Sequence, residues 1–461
     1  MQTERTPTPG NRTVDVQRLI DDHPFSAWQW VVFALCFFVV LLDGFDTAAI
    51  GYIAPSLIKE WGVTKPMLAP VLSAALFGLA AGALLSGPVA DRLGRKRVLT
   101  ATVLIFGVAT LASAFATDIV QLSALRFVTG LGLGAAMPSA VTLMSEYCPG
   151  SRRATLTNLM FCGFPLGAAF GGFLAAWMIP QWGWQSVLVL GGVVPLVLTL
   201  ALLLWLPESV RFMVTRRQPV ERIRATLARI AGEQVQGIAR FTMTETRVVT
   251  NERGGLAQVL ARPYRLGTLM LWAAYFMGLV IFYALINWMP LLFKEAGIEP
   301  RTATLISALF PLGGVGAVFF GWLMDRVEPN RIVALGFALT AVAVWAIGQL
   351  VGNVGALVVG VFLAGVLMNT AQSSLPALAA GFYPTNARAT GVAWMLGIGR
   401  FGGILGSLLV AQLSAMHAGI GTVFAVLAVP ALIAAVALWI KRDADRFADD
   451  GEASAGGALA H

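Results

Sequence analysis

Long apolar segments alternate with short polar segments along most of this chain. Each apolar segment has about 20 residues or more, the length at which an α-helix crosses the hydrocarbon core of a bilayer. We therefore predict an all-α membrane protein with twelve transmembrane helices. The predicted spans are 28–52, 67–90, 98–117, 119–146, 155–178, 184–206, 266–293, 302–324, 331–351, 354–381, 387–414 and 418–440.

A long polar segment divides these spans into two sets of six. Residues 207–265 are rich in arginine, and 220–230 within them have a pattern compatible with a short surface helix. The favoured alternative is a solvated linker whose arginines lie near anionic lipid. The sequence thus predicts five parts. They are a cytoplasmic N-terminal tail (1–27), a first six-helix bundle (28–206), a cytoplasmic linker (207–265), a second six-helix bundle (266–440) and a cytoplasmic C-terminal tail (441–461).

Composition supports a membrane protein and excludes several other classes. Hydrophobic residues make up 57% of the chain and charged residues 12%, whereas soluble domains are about 25% charged. The three cysteines have no metal-binding spacing, and neither an HExxH motif nor a Walker GxxxxGK[ST] motif is present. We therefore expect no metal, no cofactor and no enzymatic activity.

The positive charges are distributed unevenly across the predicted membrane. With the N-terminus inside, most lysines and arginines fall in inner loops and tails, and the outer loops hold only Lys59, Lys65, Lys294 and Arg301. This is the asymmetry of the positive-inside rule. It predicts two cytoplasmic termini, and it explains the net charge of +8 without a nucleic-acid partner.

The two sets of spans resemble each other. Residues 87–97 after the second span match 321–331 after the eighth, and 147–155 after the fourth match 382–390 after the tenth, at nearly the same offset. Six spans return the chain to the same side, so the halves are parallel repeats. Such repeats, with a site between them, are a common plan of secondary transporters.

Several motifs resemble one transporter family. Residues 87–97 and 207–212 resemble signature motifs of the major facilitator superfamily. LDGFDTAA at 42–49 and GVAWMLGIGRFG at 391–402 are similar to the aromatic acid:proton symporter family, closest to its 4-hydroxybenzoate and protocatechuate transporters. The resemblance implies import of a small hydroxylated aromatic carboxylate with protons. Asn330 departs from the histidine found in those relatives, so no proton role is carried over to it.

Few ionisable side chains lie within the predicted spans. Asp43 and Asp46 share one face of the first span, Arg126 and Glu146 lie on the fourth, and Arg400 lies on the eleventh. Charges inside a membrane are costly and are usually functional. We expect Arg400, with Arg126, to bind a carboxylate, and Asp43, Asp46 and Glu146 to couple protons. The alternative for Asp46 and Arg126 is a fixed structural pair.

Aromatic and amide side chains extend the predicted site. Trp394 and Phe401 are close to Arg400 in the sequence and are predicted to enclose a benzene ring. Asn287, Asn369 and Gln372 are polar groups in apolar spans. They are candidates for binding a ring hydroxyl, and hydrogen bonds between helices are the equal alternative.

A second set of charges lies at the predicted cytoplasmic mouth. These residues are candidates for a gate that forms in one conformation and breaks in the other. They are Asp91, Arg92, Arg95, Arg153, Asp325, Arg326 and Arg388. The alternative is that they only fix the orientation of the chain.

Proton symport is consistent with the charge of the expected substrate. A membrane potential of 100 mV opposes the entry of one negative charge by about 2.3 kcal/mol, and one co-transported proton cancels that opposition. We predict a monomeric, lipid-embedded symporter in a bacterial inner membrane that supplies aromatic catabolism. A drug/proton antiporter of the same fold is the alternative, although arginines in the cavity suit a cationic cargo poorly.

Overall fold

The apolar segments fold into helices in the computed structural model of the chain, which describes residues 12–236, 238–242, 259–316, 328–383 and 385–441. The helices before and within the linker are α1 (Val16–Asp21), α2 (Ala27–Trp61), α3 (Lys65–Leu93), α4 (Arg95–Ser113), α5 (Ile119–Tyr147), α6 (Arg153–Phe161), α7 (Gly163–Trp182), α8 (Gln185–Trp205), α9 (Val210–Thr215) and α10 (Val220–Ala231). Those after it are α11 (Arg262–Glu295), α12 (Pro300–Leu312), α13 (Pro329–Leu350), α14 (Val354–Phe382), α15 (Thr385–Ala415) and α16 (Ile420–Ile440).

Eleven membrane-length apolar helical segments are present among the described residues, one fewer than the sequence predicts. The difference lies in the eighth predicted span, 302–324. It begins as α12 and continues as a 3₁₀ turn, Gly313–Gly316, and its remaining residues are outside the described part of the chain. The all-helical membrane fold is therefore confirmed, while the count of twelve stays a prediction.

The fifth predicted span, 155–178, is not one continuous helix. It consists of α6 and α7, which are separated at Cys162. Pro165 follows three residues later and has no N–H to donate to the carbonyl of Phe161, so the regular helical ladder is interrupted there. A hydropathy pattern averages over such a break and does not detect it.

The N-terminal segment and the linker contain more structure than the sequence suggests. The short helix that the sequence allows within the linker is present as α10. In addition, β1 (Arg12–Asp15) pairs in parallel with β2 (Ile238–Thr242), although more than 200 residues separate them. Neither short strand stands out by alternation, because their pairing depends on chain segments that are distant in sequence.

The described chain divides into two compact units. The first comprises Met1–Thr47, Phe77–Gly167 and Leu188–Thr246, and the second comprises Ala48–Leu76, Ala168–Val187 and Arg247–His461. These boundaries differ from the two predicted six-helix bundles. Two pieces of the first sequence half, 48–76 and 168–187, pack with the helices of the second half.

Close contacts within the second unit explain this grouping. A Cβ added at Gly51 of α2 would lie 2.5 Å from the carbonyl oxygen of Ile286 on α11. A Cβ added at Gly172 of α7 would lie 2.4 Å from the Cβ of Ala308 on α12. Only residues without side chains allow backbones to approach so closely. Helices of the two sequence halves therefore pack directly at this end.

Candidate functional site

Asp46 and Arg126 form a buried ion pair in the first unit. Arg126 donates from Nη1 to Asp46 Oδ1 at 3.0 Å and from Nη2 to Oδ2 at 2.6 Å. The two side chains are 1% and 0% exposed. Two parallel charge-assisted hydrogen bonds are the strongest geometry available to such a pair. The pair joins α2 to α5.

A third helix contributes to this pair through Thr110, which the sequence does not single out. Thr110 Oγ1 on α4 donates to Asp46 Oδ1 at 2.8 Å, and the hydroxyl is itself buried. Most other buried hydroxyls bond to their own helix, as Thr102 does to the carbonyl of Leu99. Both carboxylate oxygens of Asp46 therefore have partners, and α2, α4 and α5 meet at one polar point.

Asp43 lies one helical turn before Asp46 and is 3% exposed. It accepts a hydrogen bond from the hydroxyl of Thr47 at 3.4 Å. Between the two carboxylates, Gly44 faces α7, where an added Cβ would lie 1.9 Å from the carbonyl oxygen of Phe164. The glycine of the span-one motif is therefore required by close helix packing beside the carboxylates.

Arg400 is half-buried on α15 in the second unit. The preceding residue, Gly399, faces α11, where an added Cβ would lie 2.2 Å from the ring of Tyr275. Arg400 directly follows Gly399, on the turn of α15 that packs against the partly buried Tyr275. The guanidinium and the phenol therefore belong to one local cluster on α11 and α15. Tyr275 is a second residue to which the sequence alone assigns no role.

Trp394 and Phe401 occupy a different face of α15 from Arg400. They are seven residues apart and so lie on nearly the same side, about 100° around the helix from Arg400. Their side chains are 45% and 54% exposed. Trp394 stacks against Trp272 of α11 with ring centroids 6.1 Å apart. The structure thus pairs Trp394 with another indole, and it does not bring Phe401 to that stack.

The three amide candidates all make hydrogen bonds between helices. Asn287 donates to Ser407 Oγ at 2.9 Å, and Asn369 donates to the carbonyl of Phe310 at 3.0 Å. Gln372 donates to the carbonyl of Tyr275 at 3.3 Å. The Gln372 Oε1 atom is buried and accepts no hydrogen bond from the described residues. Of these amides, Gln372 therefore carries a buried acceptor beside the Arg400 cluster.

Glu146 lies in a separate polar cluster at one end of the first unit. Its carboxylate accepts from the hydroxyl of Ser209 and lies 4.0 Å from Arg95 Nε. The adjacent Glu208 accepts from the backbone N–H of Lys96 at 3.1 Å. Glu146 therefore contacts the motif after the sixth predicted span and the first residue of α4.

The remaining gate candidates of the described chain lie on α3, α6 and α15. Arg153 donates to Gln17 Oε1 at 2.8 Å, and Arg92 is exposed. Asp91 lies in α3 and Arg388 in α15. Asp325 and Arg326 lie outside the described residues. The proposed repeat of the gate in the second half thus stays a prediction.

Comparison with known proteins identifies the family. The sequence matches the Major Facilitator Superfamily over residues 36–316 and 271–458. A 4-hydroxybenzoate transporter PcaK from Pseudomonas putida is 50% identical over 431 residues, which cover 93% of this chain and 96% of that protein. A gallate transporter from Pseudomonas putida is 46% identical over 432 residues, covering 93% and 95%.

Solved structures agree at the level of the fold. A D-xylose-proton symporter superposes with a TM-score of 0.70 at 17% identity, covering 91% of this chain and 99% of the symporter. Family, fold and buried charges within apolar helices all point to one class of protein. The chain belongs to the major facilitator superfamily of multi-pass membrane transporters, and it is a transporter rather than an enzyme.

Proposed function

We propose that this protein imports hydroxylated aromatic acids, together with protons, across a bacterial inner membrane. One observation carries this proposal. The chain is 50% identical, over 93% of its length, to a protein named as a 4-hydroxybenzoate transporter. The basic loops favour a cytoplasmic location for both termini. The proposed transporter has twelve spans and acts as a monomer.

We assign the substrate carboxylate to Arg400. A planar guanidinium binds a carboxylate through two parallel hydrogen bonds. The Arg126 fork is already bound to Asp46, whereas Arg400 is half-buried and lies on the turn of α15 that packs against Tyr275. The Gln372 Oε1 acceptor in the same cluster suits the hydroxyl on the ring of the substrate.

We assign the transported proton to Asp43. Both carboxylate oxygens of Asp46 are engaged by the Arg126 guanidinium and the Thr110 hydroxyl. Asp43, one helical turn away, is also buried, at 3% exposure, and it accepts a hydrogen bond from the hydroxyl of Thr47. Neutralising a buried carboxylate removes the cost of its desolvation, which couples proton binding to movement through the membrane.

Alternating access requires contacts that form in one state and break in the other. The second unit contains such contacts at the end that we assign to the outer side. Lys65 and Glu295 form an ion pair, and Lys294 Nζ donates to the carbonyl of Pro55 at 3.0 Å. Both join the first sequence half to the second, as do the packing contacts of Gly51 and Gly172.

Uptake into proteoliposomes tests the proposal. With an alkaline interior, labelled 4-hydroxybenzoate should accumulate, and collapse of the pH gradient should abolish accumulation. Asp43→Asn should lose gradient-driven accumulation, while the matched Asp118→Asn at the exposed start of α5 retains it, because asparagine also caps helices. Efflux of a cationic dye without aromatic acid uptake would instead indicate a drug antiporter.

The assignment of Arg400 is tested with the same vesicles. Arg400→Lys keeps the charge but removes the planar fork, so substrate affinity should fall at least tenfold, about 1.4 kcal/mol. Arg265→Gln, on the exposed surface of α11, serves as the control. Unchanged affinity of the Arg400 variant for 4-hydroxybenzoate would refute this assignment.

A further inference from the structure

The N-terminal segment and the linker fold together into one small substructure, which we call the terminal cap. It consists of β1, α1, α10 and β2. The strands pair in parallel, and Arg224 on α10 donates to the carbonyl of Ile238 at 2.8 Å. The apolar face of α1 is buried in the same hydrophobic cluster as α10 and the cores of α2 and α5. The cap is therefore anchored to the first unit.

Two side chains of α1 bind the loop between α5 and α6. Asp21 Oδ1 accepts from the backbone N–H of Gly150 at 2.7 Å. Gln17 Nε2 donates to Asp21 Oδ1 at 2.9 Å and to the carbonyl of Cys148 at 3.4 Å. Gln17 Oε1 accepts from Arg153 Nη2 at 2.8 Å. The cap thus contacts the beginning, the middle and the end of this loop.

The polarity of these contacts fixes the Gln17 amide in one orientation. Its oxygen faces a guanidinium, which only donates, and its nitrogen faces a carboxylate and a carbonyl, which only accept. If the amide were flipped, its N–H groups would face the Arg153 guanidinium, which also donates. Its oxygen would face the Asp21 carboxylate and the Cys148 carbonyl, which also accept. Gln17 therefore defines where the Arg153 guanidinium lies.

Asp21 stabilises the turn that leads into Arg153. The 3₁₀ turn Gly150–Arg152 follows Pro149, which provides no side-chain cap. The N–H groups at the start of a helical turn lack partners within the turn and attract negative charge. The Asp21 carboxylate supplies that missing partner from another part of the chain.

We propose that Gln17 and Asp21 are positioning residues, which hold Arg153 where it acts in the cytoplasmic gate of the transport cycle. This inference rests on the proposed function. Neither residue belongs to the proposed substrate site. Their loss should therefore slow turnover of the carrier and leave its affinity for the aromatic acid unchanged.

The first test is counterflow of labelled 4-hydroxybenzoate in proteoliposomes. Gln17→Leu and Asp21→Ala should each lower Vmax several-fold at constant KM. Asp21→Asn should retain Vmax, since its amide oxygen still accepts from Gly150. The control is Gln234→Ala, which removes only the cap contact with His23 Nε2 and should not affect Vmax. Unchanged Vmax in both Gln17→Leu and Asp21→Ala would overturn the inference.

A double-mutant cycle shows whether Gln17 acts through Arg153. If it does, Gln17→Leu should have no further effect on Vmax in an Arg153→Gln background. Additive losses would refute the positioning role. Thermal unfolding of the parent, the two single variants and the double variant measures the coupling between Gln17 and Arg153 without any substrate. A failure of aromatic acid transport would therefore refute the proposed function, while additive unfolding temperatures would separately refute the inference.

Cys148 distinguishes local misplacement of Arg153 from detachment of the cap. Burial raises the pKa of its thiol to about 11, although the charge of Arg153 acts in the opposite direction. Maleimide reacts with the thiolate, so labelling of Cys148 at neutral pH should be slow in the parent chain and equally slow in Gln17→Leu. Rapid labelling of Cys148 in Gln17→Leu would mean that the terminal cap detaches. Gln17 would then have only a structural role, and the proposed positioning role would be refuted.

Discussion

At the residue scale, the centre of the first unit is the set of contacts made by Asp46. A buried charge is tolerated when its partner is close and its remaining hydrogen-bonding capacity is filled. Arg126 supplies the opposite charge and Thr110 supplies a further donor. This arrangement favours a structural role for the pair, and it leaves Asp43 and Arg400 as the charges proposed to act on cargo.

Breaking this pair should destabilise the folded protein strongly. Asp46→Asn or Arg126→Gln leaves an uncompensated buried charge, so we expect a loss of about 3–5 kcal/mol in the free energy of unfolding. Thr110→Val removes one hydrogen bond to a charged group, about 1.5–3 kcal/mol. Thermal unfolding in detergent measures both effects, with Thr102→Val as control. An Asp46→Asn/Arg126→Gln double variant as unstable as the sum of the single variants would contradict an interaction between them.

At the scale of elements, glycine determines where the helices touch. Gly44 and Gly167 both face backbone carbonyls on the opposite helix of the α2–α7 pair. A small residue at such a crossing lets backbones approach and pack closely, which drives helix association in lipid. The sequence shows the abundance of glycine, but the crossing points depend on which helix faces which.

Gly44→Ala should therefore be poorly tolerated. Its added Cβ would lie 1.9 Å from a backbone oxygen, so α2 and α7 must separate. We expect a lower unfolding temperature and reduced uptake. Gly397→Ala is the matched control, because an added Cβ there meets nothing within 4 Å. That change should be neutral or stabilise α15 by about 0.5–1 kcal/mol. Equal unfolding temperatures and equal uptake in the two variants would argue against close packing of α2 on α7 at Gly44.

The start of α12 provides a pH-dependent element. Glu299 accepts hydrogen bonds from the backbone N–H groups of Arg301 and Thr302, and these bonds lower the pKa of its carboxyl from the ordinary value of 4.5. Its stabilising effect is therefore complete above pH 4.5 and is lost as the pH falls towards the lowered pKa. The unfolding temperatures of the parent and Glu299→Gln should differ at pH 7 and converge in acid. A difference that stays constant as the pH falls well below 4.5 would contradict this cap.

At the scale of the whole molecule, the contacts proposed to close the outer side join the two sequence halves within one compact unit. A partly exposed ion pair such as Lys65–Glu295 contributes about 0.2–1 kcal/mol. This small energy suits a contact that must break during each cycle. It is enough to change the ratio of two conformations by up to about fivefold.

Glu295→Lys should therefore favour the state that is open to the outside. A cysteine introduced by Ala308→Cys, at the buried contact with Gly172, reports this change. Its maleimide labelling should be faster in the Glu295→Lys background and should return to the parent rate when Lys65→Glu restores an opposite-charge pair. Faster labelling that persists in the charge-swapped chain would show that the ion pair does not hold this closure.

The sequence by itself determined the membrane class and the apolar helical segments, because hydropathy and helical periodicity are local properties. It also allowed a helix at 220–230, and its motifs identified the family and the charges within apolar spans at Asp43, Asp46, Arg126 and Arg400. Tertiary structure alone decided that Thr110 completes the Asp46 pair, that Trp394 stacks on Trp272, and that Gln17 reaches Arg153. Those contacts join residues far apart in the chain. They depend on which helix faces are packed together, and one-dimensional periodicity carries no information about that choice.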